Sequence, residues 1–214
     1  MLLAGLTGGL ASGKSFIGRA LEECGCLLIH ADELGHEVLG VEGPAYAGVL
    51  AEFGDDILKD DGTIDRRKLG TVVFADNGRL ARLNELVHPH VFALQEERIA
   101  ALAARDPDAI VVVEAAIMIE TGSYKRYDAI ILAVCAVETQ IARAIKRDGL
   151  TRDEVLARLS RQMALAEKIP YAQFVIDTDH TKEETITRTR EVHESLRAMQ
   201  QSKSTAASGT LPTL

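Results

Sequence analysis

Apolar residues fall into two patterns along this chain: short unbroken runs of strand length, and longer stretches spaced at three and four. Leu2 to Leu6, Cys26 to Ile29, Ala109 to Val113, Asp128 to Val134 and Phe174 to Asp177 are of the first kind. Strands that are apolar on both faces are what a parallel sheet covered by helices requires. After the first run, Phe16, Ile17, Ala20 and Leu21 recur at core-facing helical spacing, and Gly25 ends that helix. Helical patterns over 33–39, 44–53, 67–74, 78–87 and 91–104 then follow without a convincing strand. Roughly 60 residues of helix exceed an ordinary strand-to-strand connection. The block from about 43 to 105 is therefore predicted to be an inserted helical domain, within a core of 1–40 and 108–200. The alternation elsewhere predicts an α/β fold, a three-layer α/β/α sandwich on a parallel five-stranded sheet. Residues 201–214, rich in Ser, Thr and Ala without periodicity, read as a disordered tail.

The first run leads into Gly8-Gly9-Leu10-Ala11-Ser12-Gly13-Lys14-Ser15, which matches the phosphate-binding loop pattern in full. Glycines let successive amides turn inward around a phosphate. A helix starting near Lys14 adds its positive end to the same hollow. Lys14 can reach the β- and γ-phosphates, and the Ser15 hydroxyl can ligate magnesium. A plain glycine-rich turn would not explain Lys and Ser directly behind the last glycine.

The second run is followed by His30-Ala31-Asp32. Ligands of open α/β sheets lie beyond the carboxyl ends of strands, so Asp32 is a candidate general base. A helix N-cap is the other reading of Asp32. Asp32-x-x-Gly35 also fits a GTPase switch pattern, but no Asn-Lys-x-Asp is present to read a guanine.

Glu114 ends the third run, where a carboxylate often acts on magnesium through water. Within the helical block, Arg66, Arg67, Lys68, Arg79 and Arg82 gather positive charge. Pro89 can open a helix at its first position, which would set His88 at a helix N-terminus as a polar-substrate contact or as a simple helix-start residue. Arg143 and Arg147, four apart, share a helix face. Thr151-x-x-Glu154 is a capping box for the helix that carries Arg158, Arg161 and Gln162. This segment, about 143–168, reads as a lid over a transferred phosphate or as an exposed helix pair.

The net charge of −8 argues against nucleic acid or an anionic membrane as partner. Charged residues make up 26% and hydrophobic ones 47%, so a sizeable core needs no staples. Cys24, Cys26 and Cys135 lack metal-like spacing and read as free thiols of a reducing cytoplasm. No leader pattern and no apolar run of ~18 residues is apparent, which points to a cytoplasmic protein.

Taken together, Gly5 to Ser15 with Ala31-Asp32 resembles the opening of the dephospho-CoA kinase family. Asp61-Gly62-x-Ile64-x-Arg66-Arg67-x-Leu69, Leu83-Asn84 with His88-Pro89, Glu120-Thr121-Gly122, Gln140-x-x-Arg143-x-x-x-Arg147, Gln162 and Val175-Ile176-Asp177 follow in family order. The resemblance spans nearly all of 1–200. It implies a P-loop NTPase fold with a helical substrate domain and lid. It implies ATP as phosphate donor with magnesium, transfer to the ribose 3′-hydroxyl of dephospho-CoA, and a monomer or weak homo-oligomer. Asp32 would take the hydroxyl proton, with Lys14, Arg143 and Arg147 also catalytic. Gly8, Gly9, Ala11, Ser12, Gly13, Lys14, Ser15 and Phe16 would bind ATP, with Ser15 on the metal. Asp32, Arg66, Arg67, His88 and Glu120 would meet the acceptor. Departures are His30 for Asp, Phe16 for Thr, Glu114 to Glu120 for an Asp-x-Pro-Leu-Leu-x-Glu segment, and Thr178 for Asn. Another small-molecule or nucleoside monophosphate kinase, or a non-enzymatic nucleotide switch, are the alternative readings.

Overall fold

The computed structural model describes residues 1–74 and 76–208. The chain forms two compact units, one of Met1–Ile29 with Leu102–Leu214 and one of His30–Ala101.

In the first unit five strands, β1 (Leu2–Gly8), β2 (Leu27–His30), β3 (Ile110–Glu114), β4 (Ala129–Val134) and β5 (Phe174–Asp177), lie in the order β2-β3-β1-β4-β5. β1 pairs in parallel with β3 and β4, and β4 with β5. β1 is thus central and all but wholly buried, as its unbroken apolar run requires. Leu2, Ala4 and Leu6 face Ile17 and Leu21 of α1 (Lys14–Glu23) and Val192 and Leu196 of α9 (Lys182–Ser208) in one core cluster. Gly5 points the other way, where a Cβ would lie 2.4 Å from Met118 Sδ. Helix α6 (Val137–Asp148) and α7 (Arg152–Leu159) pack through Ile141, Ala144 and Val155 and hold Leu10 and Ala11 of the glycine-rich loop against them. α7 opens on the expected capping box, Thr151 with Glu154. A short α8 (Leu165–Lys168) follows.

The second unit holds α2 (Ala31–Val38), α3 (Tyr46–Phe53), α4 (Arg66–Phe74) and most of α5 (Asn77–Arg105) around its own core of Val38, Val49, Ile57, Leu69, Val73 and Val87. It begins at His30 rather than near 43, because Val38 of α2 joins that core.

Two further expectations are corrected. The patterns at 78–87 and 91–104 form one 29-residue helix with Pro89 inside it. Proline costs one helical hydrogen bond, here the bond to the Glu85 carbonyl. That loss is outweighed by apolar packing on both sides, through Leu83, Leu86 and Val87 before it and Val91 and Leu94 after it. The C-terminal helix runs through Ser208, where a tail was expected from 201. Asp108 accepts from Gln200 Nε2 and Ser204 Oγ, both at 2.8 Å, and Lys203 reaches Asp128 at 2.7 Å. These tethers extend the helix despite its polar sequence. Residues 209–214 of the expected tail lie outside the described residues. No described helix is long and apolar enough to cross a membrane.

Candidate active site

β1 ends at Gly8, and the loop that follows carries two left-handed residues, Ala11 at φ 54° and Gly13 at φ 92°. Left-handed residues interspersed in a turn are what aim successive amides into one anion-binding hollow. Ala11 is the one non-glycine residue with positive φ among the described residues. Such strain collects at functional sites. α1 starts directly behind Gly13 without a side-chain cap, so its positive end is offered to the same hollow. Lys14 folds back over the loop, donating to the carbonyls of Gly8 (3.1 Å) and Gly9 (2.8 Å).

The loop is gripped by two carboxamides. Leu10 donates its N–H to Gln162 Oε1 at 2.9 Å, and its carbonyl accepts from Gln140 Nε2 at 2.7 Å. Gly9 makes room for this, since a Cβ there would stand 2.5 Å from Gln140 Nε2. Ser15 Oγ donates to Glu114 Oε1 at 2.9 Å, and Glu114 is buried. The Ser12 hydroxyl is buried without a partner.

A cleft of about 580 Å³ opens over this loop, lined by Ala11 to Phe16, Arg19, Arg143, Lys146 and Arg147. All five charged residues on its wall, Lys14, Arg19, Arg143, Lys146 and Arg147, are basic. In a chain of net charge −8 that is a local reversal suited to a polyanion. Arg143 donates from Nη1 to Thr178 Oγ1 (2.8 Å) and from Nη2 to the Thr178 carbonyl (2.5 Å). Arg147 clasps the adjacent Asp148 from Nε (2.7 Å) and Nη2 (2.9 Å). Asp179 is held below the usual carboxylate range by the Thr139 hydroxyl and the Ala136 N–H.

The expected nucleotide contacts Ala11 to Phe16 therefore share one cleft with Arg143 and Arg147. Gly8 and Gly9 stand behind them, supplying the carbonyls that hold Lys14. Glu120 is differently employed. Its Oε1 lies 2.7 Å from the Nζ of fully buried Lys168 and accepts from the Met163 N–H at 3.2 Å. Lys168 also donates to the Ala116 carbonyl at 3.2 Å. This pair fastens α8 to the loop after β3.

The second unit carries the other expected residues. Asp32 is exposed in the first turn of α2, whose cap is His30, so the N-cap reading of Asp32 does not hold. Arg66 and Arg67 are exposed at the start of α4, which Asp65 caps by accepting from the Arg67 and Lys68 N–H groups. His88 lies in mid-helix and not at a helix N-terminus, because Pro89 does not open a new helix. Burial pushes its imidazole below the usual pKa, and it meets Phe92 edge-on at 6.0 Å.

Three participants lacked a predicted role. Arg19 sits four residues after Ser15, a spacing that marks the same helix face. Lys168 had no local signal, since a lysine flanked by Glu167 and Ile169 reads as exposed. Thr178 stood out only as a departure from the family pattern.

Comparison with known proteins agrees with this geometry. The dephospho-CoA kinase family model matches residues 2–184. A dephospho-CoA kinase of Syntrophus aciditrophicus is 40% identical, over 86% of this chain and 79% of its own. One of Geobacter sulfurreducens is 41% identical, over 90% of this chain and 97% of its own. A Thermus thermophilus crystal structure superposes with a TM-score of 0.80 at 29% identity, covering 91% of this chain and 96% of that one.

Proposed function

The chain belongs to the dephospho-CoA kinase family, and we propose on that footing that it transfers the γ-phosphoryl group of ATP to the ribose 3′-hydroxyl of dephospho-CoA. The products are coenzyme A and ADP. The observation that carries the reading is the cleft whose charged wall residues are all cations, set over a strained glycine-rich loop.

Loop amides and the α1 terminus receive the β-phosphate, and Lys14 exchanges the Gly8 and Gly9 carbonyls for phosphate oxygens. Arg143 and Arg147 face the charge that spreads over the phosphoryl oxygens during transfer, where a fixed cation is worth most. The Ser15 hydroxyl and Glu114 carboxylate are hard oxygen donors that would hold magnesium, which would offset phosphate charge there. Asp32 accepts the proton as the 3′-oxygen attacks phosphorus and the bond to the ADP oxygen breaks. Arg66, Arg67 and His88 serve the anionic acceptor. The segment 143–168 acts as a lid that excludes water, a competing acceptor. The acidic overall balance supports small-molecule partners rather than nucleic acid, and the free thiols of Cys24, Cys26 and Cys135 support a reducing cytoplasm.

The test is turnover with ATP, magnesium and a panel of acceptors, read as ADP release and by mass of the product. Dephospho-CoA should gain one phosphate at a kcat/KM at least ~100-fold above any nucleoside monophosphate, a margin of ~2.7 kcal/mol. Preference for another acceptor would overturn the assignment.

A further inference from the structure

Thr178 directly follows β5 and is 4% exposed. Its N–H donates to the Val134 carbonyl at 2.9 Å, which ties this turn to the end of β4. Its Oγ1 stands 2.9 Å from the Ser12 carbonyl and 3.3 Å from that of Val134, and accepts from Arg143 Nη1 at 2.8 Å. Its own carbonyl accepts from Arg143 Nη2. A Cβ built on Gly13 would lie 2.9 Å from the Thr178 methyl. One residue thus touches two successive residues of the phosphate loop and holds an arginine of the cleft twice, through its hydroxyl and through its backbone carbonyl.

A hydroxyl has a single proton, and Arg143 can only donate. The proton therefore goes to a carbonyl, the nearer being that of Ser12, and a lone pair is left for the guanidinium. Both hydrogen-bond acceptors that Thr178 offers to Arg143 are neutral, so this clasp itself takes none of the guanidinium charge from the cleft. The nearby carboxylate of Asp179 feels the Arg143 charge but takes its hydrogen bonds from the Thr139 hydroxyl and from the Ala136 N–H at 2.6 Å.

We propose that Thr178 is a positioning residue for the transfer reaction: its hydroxyl links Arg143 to the Ser12 carbonyl and so fixes the guanidinium relative to the phosphate loop. The inference rests on the role given to Arg143 above. It also gives the Thr-for-Asn departure a physical content, since a short branched side chain fills the space against Gly13 and still bridges arginine to loop.

The test is a mutant cycle on the full chain. Thr178→Val keeps the shape and removes the hydroxyl. It should lower kcat/KM for ATP ~10-fold, the scale of one hydrogen bond to a charged group. Thr178→Ser should restore activity to within ~2-fold, since the link it rebuilds is the same hydrogen bond. In an Arg143→Ala background Thr178→Val should change nothing further, because residues acting through one link are not additive. Thr178 is buried, so the cycle is repeated with Thr178→Ala, which sheds bulk beside Gly13, and the same coupling is required. Additive losses, or a serine variant as impaired as the valine one, would overturn the proposal. Wild-type protein that forms no coenzyme A would instead sink the function assigned to the chain, whatever the cycle reads.

Discussion

Lys168 and Glu120 set an asymmetric test of how α8 is fastened to the loop after β3. Lys168→Met keeps the length of the side chain and removes the charge. It leaves Glu120, whose side chain is 21% exposed, with water and the Met163 N–H at 3.2 Å. The Ala116 carbonyl also loses the lysine but still accepts from Thr7 Oγ1 at 3.3 Å. Glu120→Ala does the reverse and leaves an ammonium that is 0% exposed without its counter-charge, held only by the Ala116 carbonyl. Removing one partner of a buried pair costs ~3–5 kcal/mol when the survivor has no recourse to water. Glu120→Ala should approach that range, and Lys168→Met should cost less, about 2 kcal/mol. For a chain of this size 1 kcal/mol moves the thermal midpoint by roughly 2–4 °C, so the two variants should differ by several degrees. Urea unfolding at fixed pH gives the free energies, and the double variant Lys168→Met/Glu120→Ala should recover part of the glutamate loss. A methionine variant less stable than the alanine one would refute the reasoning, since the fully buried charge would then not be the costly one.

Asp32→Asn should lower turnover at least ~100-fold while leaving ATP affinity by calorimetry within ~2-fold, the pattern of a lost general base. Unchanged turnover removes Asp32 from the mechanism. Gln140→Ala and Gln162→Ala each free one side of the Leu10 peptide, and each should weaken ATP binding several-fold, on the scale of a hydrogen bond at ~1 kcal/mol. Wild-type affinity in both variants would show that the grip on Leu10 does not shape the loop. His193 is buried, and desolvation lowers its imidazole pKa, with Glu194 opposing and Arg197 assisting. Its folded value lies below the unfolded one, so the unfolded state takes up the proton first as pH falls. Stability is full above ~6.5 and declines below it. Chemical denaturation between pH 7.5 and 5.5 should therefore show a shallower decline in His193→Gln than in wild type, and identical slopes would refute this.

Much of the first unit was legible because its signals are local. A short unbroken apolar run bounded by turn residues fits a strand buried on both faces, and a glycine-rich turn ending in Gly-Lys-Ser has few uses other than to hold phosphate. Arg143 and Arg147 at helical spacing fall into the same cleft as that turn. Two helix boundaries were harder, one in each unit. Pro89 and the polar stretch beyond Gln200 carry local stop signals that distant contacts override, through Val91 and Leu94 in one case and Asp108 and Asp128 in the other. The placement of Val38 in the helical core, which moves the start of that unit to His30, rests on packing that no local pattern announces.

Residue order alone determined the strands, the phosphate loop and the family, because the strands and the loop depend on chemistry within a dozen neighbouring positions and the family on a series of such local motifs along the chain. Only the tertiary structure decided which side chains hold that loop in shape. Gln162 lies 152 positions from Leu10, Thr178 lies 166 from Ser12, and Lys168 finds its acceptor at Ala116. Hydrogen bonds and buried charges act over about 3 Å, and which groups come that close is settled by how the sheet orders its strands, not by where residues stand in the chain.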